Sequence, residues 1–384
     1  MAGKHIAEAN AATIEALHKI LEVGVSGNTL MVDAVKGNNT KAATDASIPF
    51  NTLIAAKNAA TTGTLIIVYP GVYEDYDLLK NGVNWLFMPG SIITIDRAES
   101  PIFSDAEGAI SCIIDGLLEV NLSYSDPLGE NLKNSIIEIN NNSDITFRCK
   151  SLSVITDANN GVCTIVNNGK LTLNCIKASA HSVLEQGGGF VNFLISAIYS
   201  VYAFVIDDGD STIKIDDAYV SDAIFYNGGD NGYPTSNCIL GNSHTGGCVC
   251  FYFNTGILYG SAKNVTGLLT SSGPTCKMYI TCDNLTSTLG QPSINSDGGE
   301  LFVKVRNFIS AVQFAATSGS LVLECDNAVS SYGDGAGIDN IGINGKLLLK
   351  GRFEMTSNKP VISTLSDTLL GTLILDNAKL IKAN

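Results

Sequence analysis

Six aspartates crowd one short stretch of the chain, "VIDDGDSTIKIDDAYVSDA" at 205–223: Asp207, Asp208, Asp210, Asp216, Asp217 and Asp222. Paired carboxylates can do chemistry. One acts as acid and the other as base or nucleophile when they flank a glycosidic bond roughly 5 to 9.5 Å apart. Asp207, Asp208, Asp216 and Asp217 are the candidate catalytic set, because stacking of neighbouring segments can bring Asp208 beside Asp216 or Asp217. Dense carboxylates also suit Ca²⁺. Solvated acidic turns on a soluble surface give the same pattern with no chemistry at all, and all three readings stay open here.

Aromatic residues cluster just downstream, in "FYFNTGILYG" at 251–260, with Tyr199, Tyr202, Tyr219, Tyr226 and Tyr233 before it. Alternation along a strand sends Phe251 and Phe253 to one face and Tyr252 to the other. About half of these rings belong to a core. Tyr226, Tyr233, Tyr252 and Tyr259 are the candidate carbohydrate-binding residues.

The chain has ten cysteines. Cys149, Cys175, Cys282 and Cys325 fall at one position of a recurring phrase, which Val305 and Ile195 fill elsewhere. A slot shared by Cys, Val and Ile is a core slot, where the reduced thiol acts as a small hydrophobe. Alignment on the first apolar residue puts Asp217 in that same slot, as a charge either turned outward or buried with a partner. Only Cys248 and Cys250 are close enough in sequence to suggest a metal pair, and the reading assigns no metal and no cofactor.

The elements that must position these groups come from the phrase itself. "GKLTLNCIKASA" at 169–180, "CKMYITCDNLTS" at 276–287, "GELFVKVRNFIS" at 299–310 and "GSLVLECDNAVSS" at 319–331 each start near a turn residue and then alternate apolar with polar. The phrase returns at Ile145, Leu171, Val191, Ile213, Met278, Leu301, Leu321 and Leu347, about every 22 residues, with a gap after Ile213 that fits three units. A second short strand precedes it in each unit, as in "AFVIDDGD" at 203–210 and "AIFYNGGD" at 223–230. Units this small cannot fold alone and bury their apolar sides by stacking. The fold class is therefore all-β, a right-handed single-stranded parallel β-helix with short N-terminal helices. From Leu65 there is room for about fourteen coils spaced about 4.8 Å apart.

A formal charge of −14 opposes nucleic-acid binding and attachment to anionic lipid. No apolar run is long enough to span a bilayer, and "MAGKHIAEANAATIEALHKI" lacks the apolar core of a secretory signal. The reading is a chain made in a cytoplasm. Residues 4–22 have helical spacing at Ile6, Asn10, Thr13, Leu17 and Ile20. Ile6, Leu17 and Ile20 are the candidate attachment residues of an N-terminal segment, 1–30. Residues 31–64 are assigned to a linker and capping helix, and 65–384 to the β-helix.

The entry to the repeat carries a family resemblance. A Gly/Asn/Asp/Thr-rich stretch, an Ala-rich helix over Pro49–Ala60, the strand Leu65–Tyr69 and the turn Pro70–Gly71–Val72–Tyr73 resemble the start of the pectate-lyase-like right-handed parallel β-helix superfamily, in the form used by phage tailspikes and tail fibres. The family's paired aspartates before the helix are reduced to Asp45. The resemblance implies a virion structural or host-recognition protein, tail fibre, tailspike-like or head-associated. It further implies a homotrimer, joined to other virion proteins through its N-terminal segment and binding host surface glycan. A second implication is a polysaccharide depolymerase, hydrolase or lyase, of the same fold; a third reading is a bacterial cytoplasmic β-helix scaffold. The enzyme patterns of the superfamily are incomplete here. His244 lies in "NSHTGG", residues 304–306 run Lys-Val-Arg in reverse order, and the lyase-type Arg-x-Pro-x-x-Arg is missing.

Overall fold

A computed structural model describes residues 28–96, 101–105, 108–124, 135–140, 142–156, 163–227, 232–245, 249–287, 294–310, 314–316, 318–330, 338–341, 345–355, 362–363 and 372–382. The expected N-terminal helix, with Ile6, Leu17 and Ile20, lies outside the described residues, as does Cys248. The chain divides into two compact units, Met1–Leu184 with Gly189–Ser196, and Glu185–Gly188 with Ala197–Asn384. Strand makes up 66% and helix 4%, and the strands stack as parallel coils of a β-solenoid. The all-β expectation is met.

In the first unit the strand Thr29–Val32 pairs in parallel with Leu65–Val68, which pairs with Asn84–Phe87. Ser111–Gly116, Asp144–Thr156 and Lys170–Gln186 continue the stack. Among the described residues the ladder thus starts at Thr29–Val32, which straddles the boundary read from sequence between the N-terminal segment, 1–30, and the linker, 31–64. Alternation sends every second side chain inward, and register aligns them. Ile66, Trp85, Ile114, Phe147 and Leu173 form one column, each at most 1% exposed. Burying each such side chain contributes about 1.5–3 kcal/mol.

The first strand would otherwise show a bare edge, which invites pairing with another chain. Phe50 covers it. Its N–H donates to Met31 O at 2.8 Å, and its carbonyl accepts from Asp33 N at 2.8 Å. The helix Leu53–Ala59 then packs on Thr29–Val32 and Leu65–Val68, burying Leu53 and Ala56. It falls within the expected Pro49–Ala60. Leu53 N donates to Asp75 Oδ2 at 2.9 Å at one end of the helix. At the other, Lys80 Nζ donates to the carbonyls of Ala60 and Lys57 at 2.7 and 3.0 Å. Both contacts satisfy groups that a helix leaves unpaired at its termini.

The second unit stacks Asp210–Asn227, Thr235–Thr245, Ile257–Thr266, Lys277–Ser287, Glu300–Ser310, Ser320–Ser330, Lys346–Met355 and Thr372–Leu375. The gap between Ile213 and Met278 holds the rungs at Thr235 and Ile257, as the spacing expects. The alignment there slips by two residues, however. Ile213 stands in column with Cys238, Gly260 and Ile280, and not with Met278. A slip of two keeps every side chain on its own face, so apolar periodicity alone cannot detect it. Gly260 fits its column for a steric reason: a Cβ there would lie 2.6 Å from Ile280 Cδ1. A second inward column runs Phe225, Phe251, Leu269 and Ile294.

The expected core cysteines are core. Cys149, Cys175, Cys282 and Cys325 are all buried, together with Cys112, Cys238, Cys250 and Cys276.

Candidate functional site

The carboxylates read as a catalytic set separate into three settings. Asp207 and Asp208 are exposed in the turn before the strand Asp210–Asn227, and Asp216 is exposed six residues into that strand. At about 3.3 Å per residue, Asp210 and Asp216 are roughly 20 Å apart along the chain. Asp208 lies in the turn at the end of that segment remote from Asp216, so the two are not set at the spacing that glycoside hydrolysis needs. The stacking expected to bring Asp208 to Asp216 or Asp217 instead sets the next coil over each of them separately. A Cβ on Gly232 would sit 2.8 Å from Asp208 Cβ, and one on Gly241 would sit 2.3 Å from Asp216 O.

Asp217 has a structural role. The two-residue slip moves it out of the cysteine slot and into register with Asn242. Asn242 Nδ2 donates to Asp217 Oδ1 at 2.8 Å, Asn264 to Asn242 Oδ1 at 2.6 Å, Asn284 to Asn264 at 2.7 Å and Asn307 to Asn284 at 2.9 Å. Asn327 continues the register. The run stops at Gly351, where the pairing shifts and a φ of +109° suits glycine. Sequence reasoning missed this ladder, although the recurring Asn in "AKN", "CDN", "VRN" and "CDN" carried it.

The tyrosines fall into stacks. Tyr226 lies on Tyr252 with ring centroids 5.1 Å apart and planes at 16°, and Tyr252 Oη is 2.9 Å from Ser272 Oγ. Tyr199 lies on Tyr219 at 4.9 Å and Tyr259 on Tyr279 at 5.2 Å. Rings stacked along the coil axis spend their faces on each other and present edges and hydroxyls outward. Tyr226 and Tyr252 are therefore poor platforms for a sugar ring. Tyr233 is different: it is 67% exposed and joins no ring pair among the described residues.

The Tyr259–Tyr279 stack borders a concavity. Two residues further along the same strands, Ser261 and Thr281 begin an open groove of about 260 Å³ that Asp283, Lys304, Arg306 and Asp326 also line. These four come from neighbouring coils, and their alignment follows from register. Lys263, Asp283, Arg306 and Asp326 occupy one corner column of alternating sign. Arg306 Nη2 lies 3.4 Å from Asp283 Oδ1, and Lys304 Nζ lies 2.6 Å from Glu324 Oε1, a contact that raises the Lys304 pKa. Both pairs are exposed. Such pairs contribute little stability, so their donors and acceptors are free to exchange onto a ligand. Of the residues singled out in the sequence, Cys282, Val305 and the reversed Lys304 and Arg306 line the groove, and Tyr259 stands two residues from Ser261 at its border. The rest were hidden because they sit a full coil apart in the chain.

Among the described residues no three His, Cys, Asp or Glu are grouped so as to hold a metal ion. No described helix is long and apolar enough to cross a membrane. No protein family, curated protein or solved structure matches the chain.

Proposed function

We propose that this chain is a rigid β-solenoid of a virion, tail fibre, tailspike-like or head-associated, that holds host surface polysaccharide without cutting it. The observation that carries the reading is the outward groove at Asp283, Lys304, Arg306 and Asp326 beside the Tyr259–Tyr279 stack. A polyol needs donors and acceptors arranged in a shallow concavity with an apolar border, and this groove offers both. At about 260 Å³ it suits one sugar residue of a longer chain that continues across the surface. The lack of a hydrolytic spacing between Asp208 and Asp216 favours binding over hydrolysis. The N-terminal segment serves in this reading as the attachment to other virion proteins, and the assembled form is a homotrimer.

The test is titration of the purified chain with host capsule and lipopolysaccharide, with reducing ends and unsaturated sugars assayed in parallel. Saturable binding is expected, at least tenfold weaker in the double variant Arg306→Ala, Asp326→Ala, with no new ends. Release of new ends would establish the depolymerase instead. No binding to any glycan of a susceptible host would leave a scaffold.

A further inference from the structure

Two thiols of the first unit touch in a way that neither the groove nor the amide ladder explains. Register sets Cys149 directly beside Cys175 on the next coil, and both side chains are buried, 5% and 1% exposed. Among the described pairings no other cysteine faces a cysteine. Cys112 stands beside Ile145, Cys238 lies between Ile213 and Gly260, and Val305 separates Cys282 from Cys325. A core position needs only an apolar side chain of the right size, as Val305 shows, so packing alone does not call for two thiols in contact.

The contact is asymmetric. The Cys149 thiol donates a hydrogen bond to the Cys175 sulfur, and the backbone N–H groups of Lys177 and Leu152 donate to the same atom. They reach it at a corner of the coil. Register runs from Asp144 to Cys149 against Lys170 to Cys175, skips Lys150 and Ile176, and resumes at Ser151 against Lys177. These donors, the Cys149 thiol foremost, hold the Cys175 pKa below its ordinary value, whereas burial pushes that of Cys149 well above it. As a neutral thiol, Cys175 donates in turn to Lys177 O at 3.0 Å. One sulfur is therefore the better nucleophile and its neighbour keeps a proton, the division of labour between an attacking and a resolving cysteine.

We infer that Cys149 and Cys175 form a reversible disulfide when the chain meets hydrogen peroxide. The Cys175 sulfur attacks the O–O bond, keeps one oxygen as sulfenic acid and releases the other as water. The Cys149 sulfur then attacks the sulfenic sulfur. The S–O bond breaks, and its oxygen leaves with the Cys149 proton as a second water. The two sulfurs lose two electrons in all and the peroxide gains them. Stacked strands lie about 4.8 Å apart, within the Cα separation of about 4.4–6.8 Å that a disulfide spans. Bridged Cβ atoms prefer about 3.5–4.5 Å, so the corner must tighten, and a bridge under that strain is readily reduced. The cross-link therefore fastens two coils in oxidising surroundings and opens in reducing ones. It does not depend on glycan binding.

The experiment treats the folded full chain with hydrogen peroxide, removes the excess, and alkylates free thiols after unfolding, with peptides mapped by mass. A cross-linked peptide pair joining Cys149 to Cys175 is expected, with both lost to alkylation. Dithiothreitol, added to the folded oxidised chain, is expected to restore both. Cys149→Val and Cys175→Val put in each position the residue that Val305 supplies in another coil. Both variants are expected to keep the wild-type circular dichroism and to leave the remaining cysteine of the pair without a disulfide. In Cys149→Val a cyclic dione is expected to trap sulfenic acid at Cys175; in Cys175→Val it is expected to trap none at Cys149. A wild type in which both thiols stay alkylatable after peroxide overturns the inference. So does a disulfide that joins either of them to a different cysteine, or one that dithiothreitol fails to open. Sulfenic acid trapped at Cys149 in Cys175→Val would overturn the choice of attacking sulfur.

Discussion

Asn242 donates its side-chain amide to Asp217 across 2.8 Å, one coil to the next. An aspartate that looks like half of a catalytic pair is thereby the terminal acceptor of an amide ladder four hydrogen bonds long. A carboxylate suits that end because it accepts and never donates. The same ladder fixes the corner from which Asp283, Arg306 and Asp326 project, since each immediately precedes a ladder asparagine.

The ladder makes the first prediction. Asn284 both donates to Asn264 and accepts from Asn307, so Asn284→Ala removes two partners at once. The expected loss is about 1–3 kcal/mol, read as a lowered denaturant midpoint. Asp217→Asn keeps an acceptor for Asn242 and is expected to cost less. Equal losses from the two would show that the ladder contributes little.

The inward columns make the second. Leu321 is fully buried between Leu301 and Leu347. Leu321→Ala is expected to cost about 2–5 kcal/mol by leaving a cavity. Leu321→Asp adds an unpartnered carboxylate and is expected to prevent folding. Lys346→Gln, in the next coil and pointing outward, is expected to lie within about 0.5 kcal/mol of the wild type. Circular dichroism and thermal melting distinguish the three.

The thiols make the third. Burial pushes the pKa of Cys112, Cys238, Cys276, Cys282 and Cys325 up from 9.0 to about 12. Each is thus held as neutral thiol in the folded chain. Below pH 9 both folded and unfolded chains keep these protons, and the contribution of burial is complete. As pH rises from about 9 toward 12 the unfolded chain ionises first, so stability falls across that window. An aromatic disulfide reagent at about pH 8 is expected to leave these five unmodified in the native chain and to label them in urea. Labelling of any one before unfolding would remove it from the core.

The repeat, the parallel stacking, the inward cysteines and the helix before Leu65 were all legible in the sequence. Period-two alternation and a recurring phrase state which side chains face inward and that like units stack on like. The candidate site was not legible to the same degree. Tyr259 was marked and borders the groove, Lys304 and Arg306 were weighed only as a reversed enzyme pattern, and Asp283 and Asp326 were not marked. Neighbours in a solenoid's surface are one coil apart in the chain, so residues that touch are about twenty positions distant. Residues close in sequence, such as Asp210 and Asp216, lie far apart along an extended strand.

What the sequence determined by itself was the unit and its inside. Both are local properties, set by side-chain alternation and turn residues within some two dozen positions. What only the tertiary structure decided was register between units. A displacement of two residues leaves the apolar pattern unchanged but exchanges every outward neighbour. That displacement moved Asp217 from a thiol column to an amide ladder, and register likewise assembled the groove.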